Sequence, residues 1–115
     1  MKPGIANLVC PQGSTFQRTL TFRIGRNAVD ITEWTARMQV RERHESITTL
    51  LELTSENESI TLGGAAGTIT LYVDSMTTER LKIGTHVYDL ELVNTTGEVT
   101  RLLEGKFTVT PEVTR

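Results

Sequence analysis

The sequence predicts an all-β protein, an antiparallel β-sandwich, and two observations carry the prediction. Thr is frequent, and Val, Ile and Leu supply most of the apolar content; β-branched side chains suit a pleated surface. Several segments also alternate apolar and polar residues with period two, and turn signals separate them every ~8–14 residues. We expect about seven or eight short strands and one helical turn, in a single domain over residues 1–115.

The first two clear strands differ in how cleanly they alternate. In TFQRTLTFRIG, Arg18 interrupts an otherwise apolar face, whereas WTARMQVRE alternates throughout and predicts a half-buried strand. The residues expected to face the core are Phe16, Leu20, Phe22 and Ile24 in the first strand, and Trp34, Ala36, Met38 and Val40 in the second.

The middle of the chain gives weaker strand signals. TLLELT precedes the polar turn SENES, and GGAAG is a hairpin turn before the alternating strand TITLYV. In DSMTTERLKIG, Asp74 or Ser75 can cap a single helical turn that Leu81 anchors to the core and Gly84 ends. No other helix is predicted.

Two late strands form a hairpin in VYDLELVNTTGEVTRLLEGKFTV. Gly97 can supply the positive φ that the reversal needs. Gly105 falls in the apolar phase of the second strand, so it marks either a bulge or a close backbone approach, and Pro111 stops the ladder. The expected core-facing residues are Tyr88, Leu90, Leu92, Val99, Leu103, Phe107 and Val109.

A local pattern before this hairpin favours an immunoglobulin-like sandwich. The turn ending Leu81-x-x-Gly84 is followed four residues later by Tyr88, near the start of a strand. In immunoglobulin-like sandwiches a Tyr at such a place often packs at a corner, with its hydroxyl bonded to backbone. Trp34 could fill the middle of the core. Plain core packing is the simpler role for both residues.

Charge, cysteine content and hydropathy exclude several classes of protein. The net charge is −2 and the basic residues are scattered among acids, so a nucleic-acid partner is not expected. Cys10 is the only cysteine, which excludes an intrachain disulfide and suits a small buried side chain. The start of the chain lacks a secretion signal, and no apolar run reaches ~18 residues. We expect a soluble protein, synthesised in the cytosol, with no membrane partner.

The sequence predicts no catalytic, cofactor-binding or metal-binding site. His44 and His86 lack metal-ligand spacing, and no phosphate-binding loop is present. Asp89 and Glu91 face the strand that carries Arg101 and Lys106, which predicts cross-strand charge pairs. A hydrolase would need two or more of the residues His44, His86, Asp74 and Asp89 to converge in a cleft.

The best candidates for an interface are apolar residues that the strand alternation places on the face away from the core. Such residues suggest that another chain covers part of the surface. Segments 1–7 and 111–115 can also become ordered against neighbouring proteins. The interface candidates are Tyr72, Val87, Val93, Leu102, Pro111 and Val113.

Four stretches together resemble a known group of proteins. In order they are QGSTFQRTLTFR, DITEWTARMQVRE, GTITLYVDSMTTERLKIGTHVYDLELV and GEVTRLLEGKFTVTPEVTR. They resemble small proteins of tailed bacteriophages and prophages, similar in pattern to the N-terminal domain of the phage baseplate upper protein family. The matching motifs are strand patterns, and the regions of Glu33 and of residues 43–47 depart from them. The resemblance implies an immunoglobulin-like virion building block with no catalytic residues, present in several copies beside tail, baseplate, portal-proximal or fibre proteins.

Two other functions stay open beside this virion role. One is an immunoglobulin-like binding module for a cell-surface ligand such as a glycan, which predicts a ligand groove on loops. The other is the small hydrolase described above. The virion role predicts that the protein sediments with purified particles.

Overall fold

Alternating residues form strands throughout the computed structural model, which describes residues 3–113. Eight of the strands are three residues or longer, as the sequence predicts. The strands are β1 (Gly4–Ile5), β2 (Leu8–Pro11), β3 (Phe16–Thr21), β4 (Arg23–Ile24), β5 (Asn27–Ala28), β6 (Thr35–Arg41), β7 (Leu51–Thr54), β8 (Ile60–Leu62), β9 (Thr68–Val73), β10 (Gly84–Val93) and β11 (Val99–Thr110).

Two sheets face each other in an immunoglobulin-like β-sandwich. The larger sheet has the order β1-β11-β10-β6-β7, with β2 also paired to β11, and the smaller has the order β3-β9-β8. Strands β4 and β5 form a separate two-stranded ribbon. The core between the sheets contains the fully buried residues Phe16, Ile31, Met38, Leu53, Ile69, Leu71, Leu90, Leu92 and Phe107.

The predicted helical turn is α1 (Ser75–Glu79), and Asp74 is its N-cap. The Asp74 carboxylate accepts a hydrogen bond of 2.8 Å from the backbone N–H of Thr77, which satisfies one of the free donors of the first turn. Leu81 is buried, as expected. The hairpin turn at residues 63–67 contains a short 3₁₀ turn, Gly64–Ala66.

The antiparallel prediction is wrong at one edge of the larger sheet. Strands β1 and β2 run parallel to β11, with Leu8 opposite Phe107, while every other strand pair in residues 3–113 is antiparallel. Parallel neighbours need a long connection, and here nearly the whole chain separates the two. Periodicity along one segment carries no information about such a distant partner.

A bulge in β11 overturns part of the expected core phase. Leu90 pairs with Leu103 and Glu91 pairs with Arg101, so Leu102 has no partner in the ladder. The extra residue shifts the alternation, and Val99 is therefore 50% exposed instead of buried. Ile24 is also exposed, because the short β4–β5 ribbon carries it outside the sandwich.

Both aromatic residues singled out in the sequence contact the core. Trp34 lies at its margin, half-buried, with its ring centroid 6.3 Å from that of Phe22. Tyr88 is buried beside Phe107, and its hydroxyl donates a 2.6 Å hydrogen bond to the Ala6 backbone carbonyl. The expected hydroxyl–backbone bond therefore exists, but its acceptor is on the first part of the chain and not at a neighbouring corner.

Candidate functional site

The outer face of the larger sheet carries a network of charged side chains from three adjacent strands. Glu91 lies between two guanidinium groups, at 2.8 Å from Arg37 and 4.0 Å from Arg101. Arg101 also lies 3.5 Å from Asp89 and 3.8 Å from Glu104. The prediction that Asp89 and Glu91 pair across strands is confirmed for Arg101. Lys106 instead lies opposite Val87.

A hollow of about 220 Å³ opens in the middle of this face. Asp89 lies in it, and loss of hydration raises the pKa of the Asp89 carboxyl group; nearby Glu91 adds to the effect, and Arg101 opposes it. The environment therefore disfavours the charged form on balance, despite the ion pair. The hollow is lined by Gln39, Arg41, His44, Val87, Tyr88, Asp89, Arg101 and Glu104.

Arg41 fixes the loop at the edge of the hollow. Its guanidinium donates hydrogen bonds of 2.6 Å and 2.8 Å to the carbonyl groups of Ser46 and Ile47, and a third of 2.9 Å to the Gln39 side chain. Ile47 itself is 95% exposed. Residues 43–47, one of the two regions that depart from the phage pattern, are therefore part of a loop that one arginine holds against the sheet.

Of the four residues from which a hydrolase would need at least two in one cleft, two lie in the same hollow and two lie elsewhere. His44 and Asp89 line the same hollow, and no hydrogen bond joins them in the described part of the chain. His86 is buried, with Nε2 2.7 Å from the carbonyl oxygen of Lys82, and Asp74 caps α1. In residues 3–113, no three potential metal ligands cluster either.

The predicted interface residues Val87 and Val93 lie on the outer face as expected, each half-buried. Val87 is flanked by Arg41 and Lys106 in the neighbouring strands. Val93 pairs with the exposed Val99, which the sequence assigned to the core. Their pairing creates a small apolar patch beside the hairpin turn, where Gly97 has the expected positive φ of 87°.

Tyr72 lies in a second hollow, which residues of β7, of β9 and of the turn after β7 line. It is 45% exposed, and its N–H donates to the Ser59 carbonyl at 2.8 Å. The hollow measures about 340 Å³ and combines apolar residues with three carboxylates. Its lining includes Leu51, Glu52, Leu53, Glu58, Tyr72, Val73 and Asp74.

Leu102 does not lie on the outer face, which corrects its predicted orientation. It is half-buried and packs against the core, as does Leu103, because the bulge turns two successive side chains inward. Both line a third hollow, about 340 Å³, that separates β1 from the start of the ribbon after β3. Leu20, Phe22 and Arg23 line its other wall.

The first strands cross β11 at Gly105 with almost no space between the backbones. A Cβ atom at Gly105 would lie 2.2 Å from the Ala6 carbonyl oxygen, so the close-approach alternative is confirmed and the bulge lies elsewhere. The Ala6 N–H donates to Glu104 at 3.0 Å, and the Asn7 side chain accepts from the Lys106 N–H at 3.1 Å. The Tyr88 hydroxyl donates a further hydrogen bond to the Ala6 carbonyl oxygen at this crossing.

The last two interface candidates follow the end of β11. Pro111 is exposed and comes directly after the final ladder residue, Thr110, as predicted. Val113 is 92% exposed. Residues 1, 2, 114 and 115 of the two predicted tail segments lie outside the described residues.

The free edge of β3 is a feature that the sequence did not reveal. Among the described strands, β3 pairs only with β9, because β1 and β2 pair with the other sheet. Partner choice depends on the whole fold, so the period-two pattern of β3 gives no signal for this open edge. No helix in the described residues is long and apolar enough to cross a membrane.

Comparisons with known proteins find low similarity. No protein-family model matches the chain, and no curated protein is similar to it in sequence. The extracellular domains of the voltage-gated sodium channel beta4 subunit, solved as parallel homodimers with a role in cell–cell adhesion, align over 98% of this chain and 97% of theirs, at 13% identity and a TM-score of 0.44.

Two further solved structures are similar to the same extent. One comes from a photo-crosslinking analysis of cell-adhesive interactions of these channel beta subunits, with 92% of each chain covered, 13% identity and a TM-score of 0.44. Extracellular domains 3–5 of Drosophila OTK align over 92% of this chain and 33% of theirs, at 12% identity and a TM-score of 0.40.

Proposed function

We propose that this protein is a non-enzymatic docking domain of a tailed-phage virion, present in several copies in the tail, the baseplate or the zone where fibres attach. One observation carries the proposal: the four stretches that resemble the phage proteins coincide with the framework of the sandwich. They include β3, β6, β9 to β10, and β11. The resemblance fails at two places, the region of Glu33 and residues 43–47, and the second is the loop held by Arg41.

The surface chemistry supports docking in preference to catalysis. Among the hydrolase candidates, His86 lies in the core, Asp74 caps α1 and Asp89 is in an ion pair, while apolar side chains remain exposed on several faces. The exposed apolar residues include the Val93–Val99 pair and Tyr72, each of which is only partly buried. Such patches are the ordinary anchors of protein–protein interfaces.

The experiment is to purify phage particles from a lysate of the source bacterium and quantify this protein by mass spectrometry. We expect it at several copies per particle, co-sedimenting with the particles at high salt. A host cytosolic protein of similar abundance is the control for contamination. Absence from the particles would overturn the proposal.

A complementation assay tests which surface docks. Val93→Arg combined with Val99→Arg places two charges on the apolar patch, whereas Thr85→Arg adds a charge at an exposed position of the same strand. If the patch docks, the double variant fails to enter particles and the single variant enters normally. Equal incorporation of both variants would exclude this patch as the contact.

One observation favours a second candidate, the glycan-binding module. The 220 Å³ hollow on the outer face is lined by side chains that can donate and accept hydrogen bonds. Against it, Arg101 and Asp89 already bind each other, and Tyr88, the only aromatic residue lining the hollow, is buried with its hydroxyl bonded elsewhere. Saturable binding of the isolated protein on a glycan array, lost in Gln39→Ala, would support this candidate.

A further inference from the structure

We propose that the β4–β5 ribbon of one copy docks in the second hollow of another copy. Ile24 of the ribbon would pack against Tyr72 of the hollow, and Arg23 and Arg26 would face its carboxylates. The contact rests on the proposed function for its setting, a domain present in several copies, and it identifies one neighbour as the same chain.

The β4–β5 ribbon is exposed along its whole length. Every residue from 23 to 28 is exposed, and the apolar side chain of Ile24 is 62% exposed. The tip is open, since a Cβ atom added at Gly25 would have nothing within 4 Å. An isolated pair of short strands is at best marginally stable, and an exposed apolar residue on such a ribbon is typical of a segment that contacts a partner.

The ribbon is positively charged, and its charges are not neutralised within the described chain. Arg23 and Arg26 lie on either side of Ile24, and no acidic residue lies between positions 23 and 28. Among residues 3–113, neither guanidinium group takes part in an ion pair. Asp30, the next acid along the chain, accepts a hydrogen bond of 3.0 Å from the Thr32 N–H. Arginine beside an apolar residue is a common anchor of interfaces.

The second hollow has the complementary chemistry. Its exposed aromatic residue, Tyr72, lies beside the half-buried Leu51. Glu52, Glu58 and Asp74 also line the hollow, and no lysine, arginine or histidine does. Its volume of about 340 Å³ is larger than one isoleucine side chain. A segment that combines an apolar side chain with two cations therefore matches it, and the β4–β5 ribbon is such a segment.

The carboxylates of the hollow interact mainly with uncharged donors. Glu52 accepts a hydrogen bond of 2.6 Å from the Gln39 side chain, and Asp74 accepts one of 2.8 Å from the Thr77 N–H. Hydrogen bonds from Thr77, followed by the charge of Arg80, lower the pKa of the Asp74 carboxyl group, and Arg80 does not line the hollow. A guanidinium group would therefore find opposite charges beside an aromatic ring that can stack on it.

The ribbon cannot dock in the hollow of its own chain. Phe22, just before the ribbon, donates to Gly67, just before β9, whereas Tyr72 lies near the end of β9. Five residues of strand span about 17 Å. Because β3 is antiparallel to β9, the chain enters the ribbon at the end of the sheet away from Tyr72. The contact must therefore join two copies.

The contact is small, so the association of free chains should be weak. The tip of a ribbon in one hollow buries less than the roughly 1,000 Å² typical of stable interfaces. We expect a dissociation constant on the order of 0.1 mM, which increases with salt concentration because unlike charges meet. High local concentration in an assembly favours the contact.

Charge exchange in the purified full chain tests the contact by sedimentation equilibrium. Arg23→Glu with Arg26→Glu makes the ribbon acidic, and Glu52→Lys with Glu58→Lys makes the hollow basic. Each double variant alone should raise the dissociation constant at least tenfold, because like charges then meet. An equimolar mixture of the two should associate within about threefold of the wild type, because every ribbon again meets a hollow of opposite charge. A mixture that stays monomeric would overturn the inference.

Matched controls separate this contact from net charge and from hydrophobicity in general. Arg43→Glu with Lys106→Glu changes the net charge by the same amount at exposed positions outside the ribbon, and it should alter the dissociation constant less than twofold. Ile24→Ser should raise it at least fivefold, and Ile47→Ser, at a residue that is 95% exposed, less than twofold. Thermal unfolding of each variant verifies that it is folded.

Two other results would also overturn the inference. One is a wild-type chain that remains monomeric up to about 1 mM, ten times the expected dissociation constant. The other is an equal effect of Ile24→Ser and Ile47→Ser. Because the purified chain is used alone, either result leaves the virion proposal to the particle assay.

Discussion

Replacing Gly105 by Ala probes the crossing of the first strands over β11. The new Cβ would lie 2.2 Å from the Ala6 carbonyl oxygen, so the two backbones must separate by roughly 1 Å to restore an ordinary C–H···O distance. That movement stretches two hydrogen bonds, from the Tyr88 hydroxyl to Ala6 and from the Ala6 N–H to Glu104, now 2.6 Å and 3.0 Å.

The expected loss of stability follows from these contacts. Each hydrogen bond contributes about 0.5–1.5 kcal/mol net, and Gly→Ala returns about 0.4–1 kcal/mol by restricting the unfolded chain. We expect Gly105→Ala to lower the free energy of unfolding by roughly 1–2 kcal/mol, or Tm by about 4–8 °C for a domain of this size. Urea unfolding measures the free energy, and hydrogen exchange at Ala6 reports whether the crossing has opened.

A nearby glycine supplies the matched control. At Gly4 an added Cβ meets the flexible end of the Leu103 side chain at 3.1 Å and the Leu102 carbonyl oxygen at an ordinary contact distance of 3.6 Å, so Gly4→Ala should change stability by less than about 0.5 kcal/mol. Tyr88→Phe should also cost less in the Gly105→Ala background than in the wild type, because both changes act on one contact. Gly105→Ala with wild-type stability and unchanged exchange at Ala6 would refute the reasoning.

Three other substitutions or titrations test separate contacts. Thr78→Val should cost about 1–3 kcal/mol by urea unfolding, because the buried hydroxyl donates to Ser14 at 2.8 Å and accepts from Gly13 at 3.1 Å; an unchanged midpoint would contradict this. Because burial raises the pKa of Asp89, stability should fall as pH rises from about 4 through that pKa, and Asp89→Asn should remove this fall without loss of stability at pH 7. Burial raises the pKa of Tyr88 to about 12, so stability, measured by thermal unfolding, should decline as pH rises from about 10 to 12. If a Tyr88→Phe chain shows the same decline, Tyr88 is not its source.

The sequence was sufficient for the elements whose information is local. The alternation of β6 and β10 predicted Met38 and Leu90 in the core, and both are fully buried, because a half-buried strand needs period two wherever it lies in the fold. The helix cap at Asp74 was equally local, since it depends on four consecutive residues.

Features that depend on pairing with a strand distant in sequence could not be predicted from the local pattern. The bulge at Leu102 is defined by its register against β10, and one extra residue reverses the faces of everything before it. That is why Leu102 and Val99 were assigned to the wrong surfaces. The open edge of β3 likewise results from where β1 and β2 pair.

The parallel pairing of β2 with β11 has a consequence for biosynthesis. Leu8 leaves the ribosome long before its partner in the sheet, Phe107, so this edge cannot form until almost the whole sandwich has been synthesised. Pairing so distant in sequence slows folding, and during translation the first strand remains without its partner. The Cys10 side chain is fully buried in the finished fold. We expect it to react with thiol reagents during that interval, so the rate at which Cys10 becomes protected from labelling measures how fast the domain closes.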